Sequence, residues 1–501
     1  MSHSSVQRHP NMKRAFALAL DIGTSSVRAS LYDDEGNELD GTIVNLEREF
    51  QTSSNGGAEI DANEAIQQVE RTIDDVLARL SPFAPQLEVV AIACFWHSLV
   101  GVDEDGNPAT PVFGWADTRA AQMVDVLRRS LDENETHART GCRFHPSYWP
   151  AKLLWLSRNP ANSFRPTTRW MSLSEFLMMR FFGNTVISVS MASGTGLLNQ
   201  RSCTWDEALV SFIDLDEDQL PKVAEDGEFY SGLVSEYTAR WPQLNNSRWY
   251  PAIGDGAANN IGAGCVTRDR AALMIGTSGA MRVMSKGDVP DSIPFELWCY
   301  RVDKKRVLLG GALSDGGGLF QWMKTTLNFT GDDDVVEREL GEMQPDEHGL
   351  TLLPFWAGER SSGWHSSARG AIIGLTQDTR PVEILRASME AIAYRFAGIA
   401  LSLAEMAPQI AIVGSGGALN SSPVWAQIIA DVLARTVTLS STREASSRGA
   451  VLLALEMEGR IRDIDDVPAP TGHTYEPDMA HHSRYREGRE RQMELYGKLI
   501  N

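Results

Sequence analysis

Cysteine is scarce in this chain: there are five among 501 residues, each more than thirty positions from the next. No C-x-x-C pair occurs. A disulfide framework needs paired cysteines and a zinc site needs closely spaced ligands, so the sequence predicts neither. We therefore expect five reduced thiols and a cytoplasmic protein.

Positive charge is also in deficit. The chain has 46 Lys and Arg against 66 Asp and Glu, a net charge of −20 at pH 7. Binding to DNA or RNA depends on clustered Lys and Arg that neutralise phosphates. The composition therefore argues against a nucleic acid as the main partner, and we interpret the acidity as a contribution to solubility.

Long apolar runs are missing. The most apolar short window, Val89 to Phe95, is far too short to cross a bilayer. Residues 1–14 are polar and lack the apolar core of a secretory signal, so they are predicted to form a disordered tail. We expect no membrane partner.

The two common nucleotide-binding signatures are absent as well. The chain has no Walker A motif, and the glycine turn at 414–419 (GSGGAL) has Leu419 where a dinucleotide loop ends in glycine. That turn still follows a clear strand and precedes a helix, which allows a flat ligand to approach closely. Nucleotide binding, if present, must use another arrangement.

A glycine-hydroxyl turn is present twice. The tetrapeptide I-G-T-S occurs at 22–25 and again at 275–278, each time between two apolar β-like runs. A tight turn points backbone N–H groups into one hollow that can bind phosphate oxygens, and its hydroxyls add donors. One copy alone would be an ordinary hairpin turn, but two copies favour a pair of hairpins that clasp one polyphosphate.

The two turns differ in one carboxylate. Asp21 precedes the first turn, where the second has Met274. Asp21 cannot attract a phosphate itself but could hold Mg²⁺, usually through water. Arg28 is close in sequence, although an ideal strand would carry its side chain far from the turn.

Strands and helices alternate along the chain, which predicts two α/β domains. Amphipathic or apolar periodicity predicts helices at 62–80, 117–130, 380–406 and 422–434, and a buried strand with its exit at 87–102. Near 254–265 the composition changes to Gly, Ala and Asn, and β-like sequence begins again at 271. We place the domain boundary in this region.

Asp255 lies between two glycines at the start of this small-residue segment. A carboxylate there is consistent with a simple helix N-cap. The many small residues also favour a hinge or a ligand-facing helix, which makes Asp255 a candidate general base. A weak base suffices for phosphoryl transfer, where the carboxylate orients the hydroxyl and accepts its proton.

A polar cluster follows two strands of the first half. His97 comes after one strand, and Trp115, Asp117 and Arg119 come after another. Asp117 and Arg119 should point to the same side and hydrogen-bond a polyol, with Trp115 covering its C–H face. Alternatively, His97 is a structural histidine and the Asp–Arg pair is a surface ion pair.

These residues together resemble the FGGY carbohydrate kinases over about residues 15 to 455. The segments that carry the resemblance are 21-DIGTSSVR-28, 97-HSLVGVDEDG-106, 115-WADTR-119, 254-GDGAANNIGAG-264, 275-IGTSGAMR-282, 310-GGALSDGGGLFQW-322, 353-LPFWAGERSSGWHSSARGAIIGLT-376, 413-VGSGGALNSSPVWAQIIADVL-433 and 444-EASSRGAVLLAL-455.

The resemblance implies the fold shared by sugar kinases, actin and heat-shock ATPases: two ribonuclease-H-like α/β domains with a cleft between them. The N-terminal domain would span 15–265, with the sugar site and first phosphate loop. The C-terminal domain would span 266–501, with the second phosphate loop and adenosine site.

The resemblance also implies roles for single residues. Asp255 would be the catalytic base, and Asp21 would lie near Mg²⁺. The sugar site would include His97, Trp115, Asp117 and Arg119. The ATP-binding residues would be Gly23, Thr24, Ser25, Arg28, Thr277, Ser278, Gly317, Gly417 and Ser421.

The implied reaction is ATP-dependent phosphorylation of the terminal hydroxyl of a sugar or sugar acid. HSL at 97–99, WADTR at 115–119, 190-SMASGTGLLN-199 and GTSGAMR at 276–282 resemble the gluconate kinase branch, so conversion of gluconate to 6-phosphogluconate is expected. Xylulose kinases usually differ at Ser98, Ala116 and Thr118. A cation should meet the gluconate carboxylate, and both Arg119 and Lys152 are candidates.

Two alternatives remain: a kinase for xylulose or another ketose or polyol, and a non-catalytic actin-like ATPase. Dimers are common in the family, so a homodimer is possible. The chain departs from the family at Ser361-Ser362, where Ala-Pro or Ser-Pro is frequent, and we expect a local loop change there without an effect on catalysis.

Overall fold

The structure is a computed structural model that describes residues 15–80, 87–158, 167–329, 332–408 and 410–500. The tail predicted at 1–14 lies outside the described residues. Below, "first half" means the described chain up to residue 265, and "second half" means the remainder.

The first half contains short and long strands around one main sheet. Its strands are β1 (Ala17–Ile22), β2 (Ser26–Tyr32), β3 (Val44–Glu47), β4 (Gln51–Thr52), β5 (Ala58–Ile60), β6 (Val89–Cys94), β7 (Val100–Val102), β8 (Val112–Phe113), β9 (Arg169–Met171), β10 (Val186–Ile187), β11 (Leu198–Asn199), β12 (Thr204–Trp205), β13 (Lys222–Val223), β14 (Arg248–Trp249) and β15 (Ile253–Gly254). Its helices are α1 (Ala62–Leu77), α2 (Ala121–Ser130), α3 (Glu133–Thr140), α4 (Trp149–Ser157), α5 (Leu173–Phe182), α6 (Val189–Ser193), α7 (Glu207–Phe212), α8 (Ser235–Arg240) and α9 (Asp255–Gly262).

The second half repeats the plan with longer helices. Its strands are β16 (Arg270–Ile275), β17 (Gly279–Lys286), β18 (Trp298–Asp303), β19 (Arg306–Leu313), β20 (Thr351–Leu353), β21 (Ala371–Ile373), β22 (Ala411–Ser415), β23 (Val437–Ser440) and β24 (Thr471–Tyr475). Its helices are α10 (Gly317–Thr326), α11 (Asp333–Glu342), α12 (Pro381–Ala404), α13 (Gly417–Ser421), α14 (Pro423–Leu433), α15 (Ala445–Met457) and α16 (Met479–Leu499).

Both main sheets have the same strand order. In the first half β3, β2 and β1 form an antiparallel meander, and β6 then adds in parallel to β1, followed by β14 and β15. In the second half β19, β17 and β16 form the meander, and β22 and β23 add in parallel. This duplicated order confirms the fold class expected from the sequence, two ribonuclease-H-like α/β units.

Most predicted elements match the structure closely. The helix predicted at 62–80 is α1, which begins after Asp61, whose carboxylate caps the N–H of Glu64 at 2.9 Å. The helix predicted at 117–130 is wrong in its first four residues, because α2 begins at Ala121. There the N–H of Thr118 donates to the carbonyl of Gly56, which holds the segment in a turn.

Helix α15 returns from the second half into the core of the first. Val451, Leu452 and Leu455 are buried in the same apolar cluster as β1 and β6. α15 also crosses α9 at very short range, because a β-carbon on Gly262 would overlap the carbonyl of Ala445, and one on Gly449 would overlap the carbonyl of Ala258. The two glycines therefore set the distance between these helices.

A second contact joins the halves at the edge strand β18. The N–H of Cys299 donates to the carbonyl of Gly141 at 2.9 Å. The hydroxyls of Tyr148 and Tyr300 hydrogen-bond at 2.7 Å nearby. The boundary predicted at residue 265 falls between α9 and β16 and stays a prediction.

Across the described residues, no helix combines the length and the apolar character that crossing a membrane would require.

Candidate active site

The repeated tetrapeptide occupies the same position in both sheets. Residues 23–25 join β1 to β2, and residues 276–278 join β16 to β17. In the first turn the N–H of Gly23 donates to the carbonyl of Ser26 at 2.9 Å, and in the second the N–H of Gly276 donates to Ser278 at 3.0 Å. Each turn thus caps the first hairpin of its sheet, as the sequence predicts.

The second turn is packed against two other glycine turns. The N–H of Gly317, at the start of α10, donates to the carbonyl of Gly276 at 2.7 Å. Gly416 has φ +97°, and a β-carbon there would overlap the carbonyl of Ile275. The structure thereby brings together three predicted nucleotide residues: Thr277, Gly317 and Gly417. Ser421 ends the short helix α13 that follows.

Arg28 lies opposite Asp21, which corrects the expectation that its side chain would be far from the turn. The two residues are cross-strand partners in the β1–β2 hairpin, and Nη1 of Arg28 lies 3.4 Å from the Asp21 carboxylate. The turn folds β2 back along β1, and an isolated strand does not reveal this. Nη1 of Arg28 is also 3.4 Å from Glu444, the residue that precedes α15.

Asp21 is a buried carboxylate with 5 % exposure. Burial raises its pKa to about 7, Arg28 opposes that rise, and the charge of Asp255 adds to it. Two buried carboxylates that repel each other favour a cation between or beside them, and oxygen ligands suit Mg²⁺. The residues present therefore fit the metal role predicted for Asp21.

Asp255 is the first residue of α9, and a tryptophan explains the glycines around it. A β-carbon on Gly254 would overlap the indole of Trp96, and one on Gly256 would lie 2.6 Å from Cζ3 of the same ring. The Trp96 indole N–H donates to the carbonyl of Ser190 at 2.9 Å, which fixes the ring. The small residues thus let an aromatic ring pack directly against the backbone on both sides of Asp255.

Burial raises the pKa of Asp255, and the nearby Arg282 guanidinium opposes the rise. One carboxylate oxygen accepts the N–H of Gly256 at 2.7 Å. The carboxyl group is therefore held in a defined orientation and is a stronger base than an exposed aspartate.

Replacing Gly254 with alanine is expected to lower kcat by about 100-fold. The new methyl group must displace either Trp96 or Asp255, and a displacement of a catalytic group by about 1 Å lowers the rate by about this factor. Steady-state kinetics and a thermal melt measure the two consequences. The double variant Gly254→Ala with Trp96→Leu should recover part of the lost kcat. If Gly254→Ala alone keeps wild-type kcat, the close packing of Trp96 is not needed to position the carboxylate.

A cavity of about 90 Å³ opens in front of Asp255 and is walled by both halves. The lining from the first half is Phe95, Trp96, His97, Trp115, Ser147, Tyr148 and Asp255. The lining from the second half is Met274, Ser278, Gly279, Ala280, Arg282, Trp298, Tyr300, Ala312, Arg360 and Trp364. The second glycine turn therefore borders the same space as the candidate base.

His97 contacts this cavity as a neutral side chain. Burial lowers its pKa to about 3. Nδ1 hydrogen-bonds the carbonyl of Gly194, so that nitrogen carries the hydrogen and Nε2 is left as an acceptor. A neutral acceptor of this kind can bind a substrate hydroxyl.

Asp117, Arg119 and Lys152 do not belong to the described lining of the cavity. Asp117 is 2 % exposed and accepts the N–H of Ala58, while Arg119 is tied to both Asp117 and Glu59. This ion-pair cluster is largely buried rather than a surface pair. Their predicted contacts with substrate stay predictions.

Two arginines line the cavity for which the sequence predicts no role, Arg282 and Arg360. Arg282 lies on β17 with 7 % exposure. The guanidinium of Arg360 lies 4.5 Å from the ring centre of Trp115. The sequence does contain a signal that could have identified Arg282, because this arginine interrupts the otherwise apolar run 280-AMRVM-284. A charged side chain inside a buried strand is rare unless it has a partner or a function.

Comparison with known proteins gives one consistent result. The N-terminal domain model of the FGGY family of carbohydrate kinases matches residues 16–262, and the C-terminal domain model matches residues 271–457. A gluconokinase from Bacillus subtilis (strain 168) is 26% identical over 474 residues, covering 92% of this chain and 91% of that protein.

Two solved structures are similar over almost the whole chain. A ligand-bound xylulose kinase from Lactobacillus acidophilus superposes with a TM-score of 0.88 at 26% identity, covering 97% of this chain and 98% of that one. A gluconate kinase from the same organism has a TM-score of 0.86 at 26% identity, with 96% and 98% covered.

Proposed function

Because the chain belongs to the FGGY family of carbohydrate kinases, we propose that it phosphorylates the terminal hydroxyl of a sugar acid with ATP, converting gluconate to 6-phosphogluconate. The observation that carries the proposal is the position of Asp255. It faces a cavity that both halves wall, and Ser278 of the second glycine turn borders the same cavity. A base beside a phosphate turn is the arrangement that phosphoryl transfer to an alcohol requires.

Asp255 orients the substrate hydroxyl and accepts its proton as the oxygen attacks the γ-phosphorus. The bond from that phosphorus to the bridging oxygen of ADP breaks in line with the attack. The Trp96 ring, packed against Gly254 and Gly256, and the N–H of Gly256 keep Asp255 in place. His97 accepts a hydrogen bond from another substrate hydroxyl, and Trp115 covers the C–H face of the carbon chain.

The ATP phosphates bind at the two glycine turns, 23–25 and 276–278, and the adenosine end lies toward Gly317 and Gly417. Asp21 would hold Mg²⁺ at this site. When bound, the ion neutralises charge on the transferring phosphates. Arg28 exchanges its contact with Glu444 for a phosphate oxygen when nucleotide is present.

The charge of the cavity supports a sugar acid over a neutral sugar. Arg282 and Arg360 contribute two positive charges to the lining, Asp255 contributes one negative charge, and His97 is neutral. A lining with excess positive charge in a protein of net charge −20 favours an anionic substrate. The similarity to gluconokinases supports the same choice, while xylulose is the close alternative.

A non-catalytic actin-like ATPase is a weaker alternative. Such a protein would need the phosphate turns but has no use for a buried carboxylate that faces an aromatic cavity. The arrangement of Asp255, Trp115 and His97 around one space therefore favours the kinase.

A substrate panel tests the proposal. With gluconate, ADP release should depend on substrate, and kcat/KM should exceed that for D-glucitol, xylulose and glycerol by about 100-fold, which reflects one buried charge-assisted contact. Coupled ADP assays and detection of 6-phosphogluconate provide the measurement. ATP turnover that ignores every sugar would support the actin-like alternative, and preference for xylulose would support the ketose kinase.

A further inference from the structure

We infer that Arg282 binds the carboxylate of the substrate and is the residue that selects a sugar acid over a neutral sugar. This inference rests on the proposed function. It differs from the sequence-based expectation, which left Arg119 and Lys152 as the candidates.

Arg282 is buried and has unused hydrogen-bond donors. Within the described chain, neither Nε nor Nη1 has a hydrogen-bond partner, although both atoms are shielded from solvent. The side chain lines the cavity and is 7 % exposed. A buried guanidinium without partners is costly, so its retention points to an anion that pairs with it in the working protein.

Among the described residues, no carboxylate accepts a hydrogen bond from Nε or Nη1 of Arg282. Asp255 is the acid that most stabilises the charge of Arg282, yet in the described chain neither Nε nor Nη1 of Arg282 hydrogen-bonds to it. The charges of Arg282 and Asp255 therefore interact, while the Nε and Nη1 donors of Arg282 can bind a second anion.

The other cations near the cavity are already engaged. Arg119 bonds Asp117 and Glu59, and Nζ of Lys152 donates to the carbonyls of Pro146 and Ser147 at 2.8 and 2.6 Å. Burial also lowers the pKa of Lys152 to about 7, so its charge is partial at neutral pH. These two side chains are poor receptors for a carboxylate.

The hydrogen-bond donors of Arg360 are only partly occupied by protein groups. It donates to the carbonyl of Leu313 at 3.0 Å and stacks over Trp115. Its remaining donors can assist, but its position is already fixed by protein contacts. Among the described atoms, Arg282 has two buried donors without a partner, Nε and Nη1, whereas Arg360 has one, Nε.

The location of Arg282 favours a carboxylate over a transferring phosphate. Arg282 is the fourth residue of β17 and pairs with Ala272, so its backbone lies about 10 Å along the strand from the residue that follows the second glycine turn. The carboxylate of a linear sugar acid is at the opposite end from the hydroxyl that is phosphorylated, so its receptor should lie away from the phosphate turns.

Arg282→Met tests the inference, with Arg301→Met as a matched control. Arg301 is also a buried arginine of the same sheet, on β18, but it donates to the carbonyls of Gln200 at 2.8 Å and Lys304 at 3.2 Å. For Arg282→Met we expect the preference for gluconate over D-glucitol, taken as the ratio of the two kcat/KM values, to fall about 100-fold. Loss of this charge also raises the pKa of Asp255, an effect that both substrates share and that cancels in the ratio. Calorimetry should show weaker gluconate binding and unchanged ATP binding.

Thermal melts of the two ligand-free variants, Arg282→Met and Arg301→Met, should show different changes in Tm. Arg282→Met should leave the Tm unchanged or raised, because it removes an unpaired buried charge. Arg301→Met should lower the Tm while the preference for gluconate over glucitol is kept. Arg282→Lys, which keeps the charge but loses the planar fork, should retain part of the gluconate affinity.

Two results would overturn the inference while the proposed function stands. In one, Arg282→Met keeps the wild-type preference and gluconate affinity. In the other, kcat falls equally for gluconate, glucitol and sugar-independent ATP hydrolysis, which would mean that Arg282 binds the transferring phosphoryl group instead of the substrate carboxylate. If the wild-type protein phosphorylates no sugar acid at all, both the inference and the proposed function are wrong.

Discussion

Replacing Asp255 with asparagine is expected to lower kcat for phosphorylation by about 1,000-fold and to leave ATP binding nearly intact. Loss of a positioned general base has an effect of this size. Asparagine has almost the same shape and can still accept the N–H of Gly256, so the helix start and Trp96 should stay in place. It cannot accept the proton of the substrate hydroxyl. Coupled kinetics and calorimetric titration with ATP measure the two properties separately.

Asp206→Asn is the matched control for this variant. Asp206 is also a 3 % exposed aspartate at the start of a helix, where it accepts the N–H of Leu209 at 3.1 Å and pairs with Arg139. It lies outside the cavity lining, so the variant should keep kcat within about twofold, even if its Tm falls slightly. If Asp255→Asn retained most of its turnover, the proposed base would be wrong, whatever the control shows.

Replacing Gly449 with alanine is expected to destabilise the protein and lower its activity. Glycine to alanine inside a helix normally stabilises it by up to about 1 kcal/mol. At Gly449 the added methyl would overlap the backbone carbonyl of Ala258 in α9, and backbone cannot move aside cheaply. Overpacking of this kind costs about 1 to 3 kcal/mol. Because α9 begins with Asp255, its displacement should also lower kcat by about 10- to 100-fold.

Gly497→Ala is the matched control for Gly449→Ala, because the same exchange is not expected to destabilise the protein at this position. Gly497 lies inside α16, and no described atom outside its own helix neighbourhood comes within 4 Å of a β-carbon built there. This variant should raise the Tm or leave it unchanged, with normal kinetics. Thermal melts and steady-state assays of the pair separate the steric effect from helix propensity. Equal behaviour of the two variants would mean that the close crossing of α9 and α15 is not a constraint.

Local signals in the sequence predict much of the fold. The repeated turns at 22–25 and 275–278 are visible because each contains its own glycine and hydroxyls between two strands. Helices such as α12 and α14 are visible through their apolar periodicity. The duplicated strand order then follows from the family resemblance, and the structure confirms it.

Contacts between distant parts of the chain account for what the sequence does not predict. Arg28 faces Asp21 only because the hairpin folds back, and Arg282 joins Asp255 in one cavity only because the two halves meet. The glycines of 254–264 are a further example. Their composition indicates close packing, but their partners, Trp96 and α15, lie far away in sequence.

The return of α15 into the first half has a consequence for biosynthesis. Val451, Leu452 and Leu455 are part of the apolar cluster that contains β1 and β6. A nascent chain that ends near residue 265 exposes the apolar surface that these side chains cover in the folded protein. The core of the N-terminal sheet can therefore be completed only after almost the entire polypeptide has been synthesised. A truncated product of the first half alone should therefore aggregate or engage chaperones, whereas the full-length chain finishes both units together.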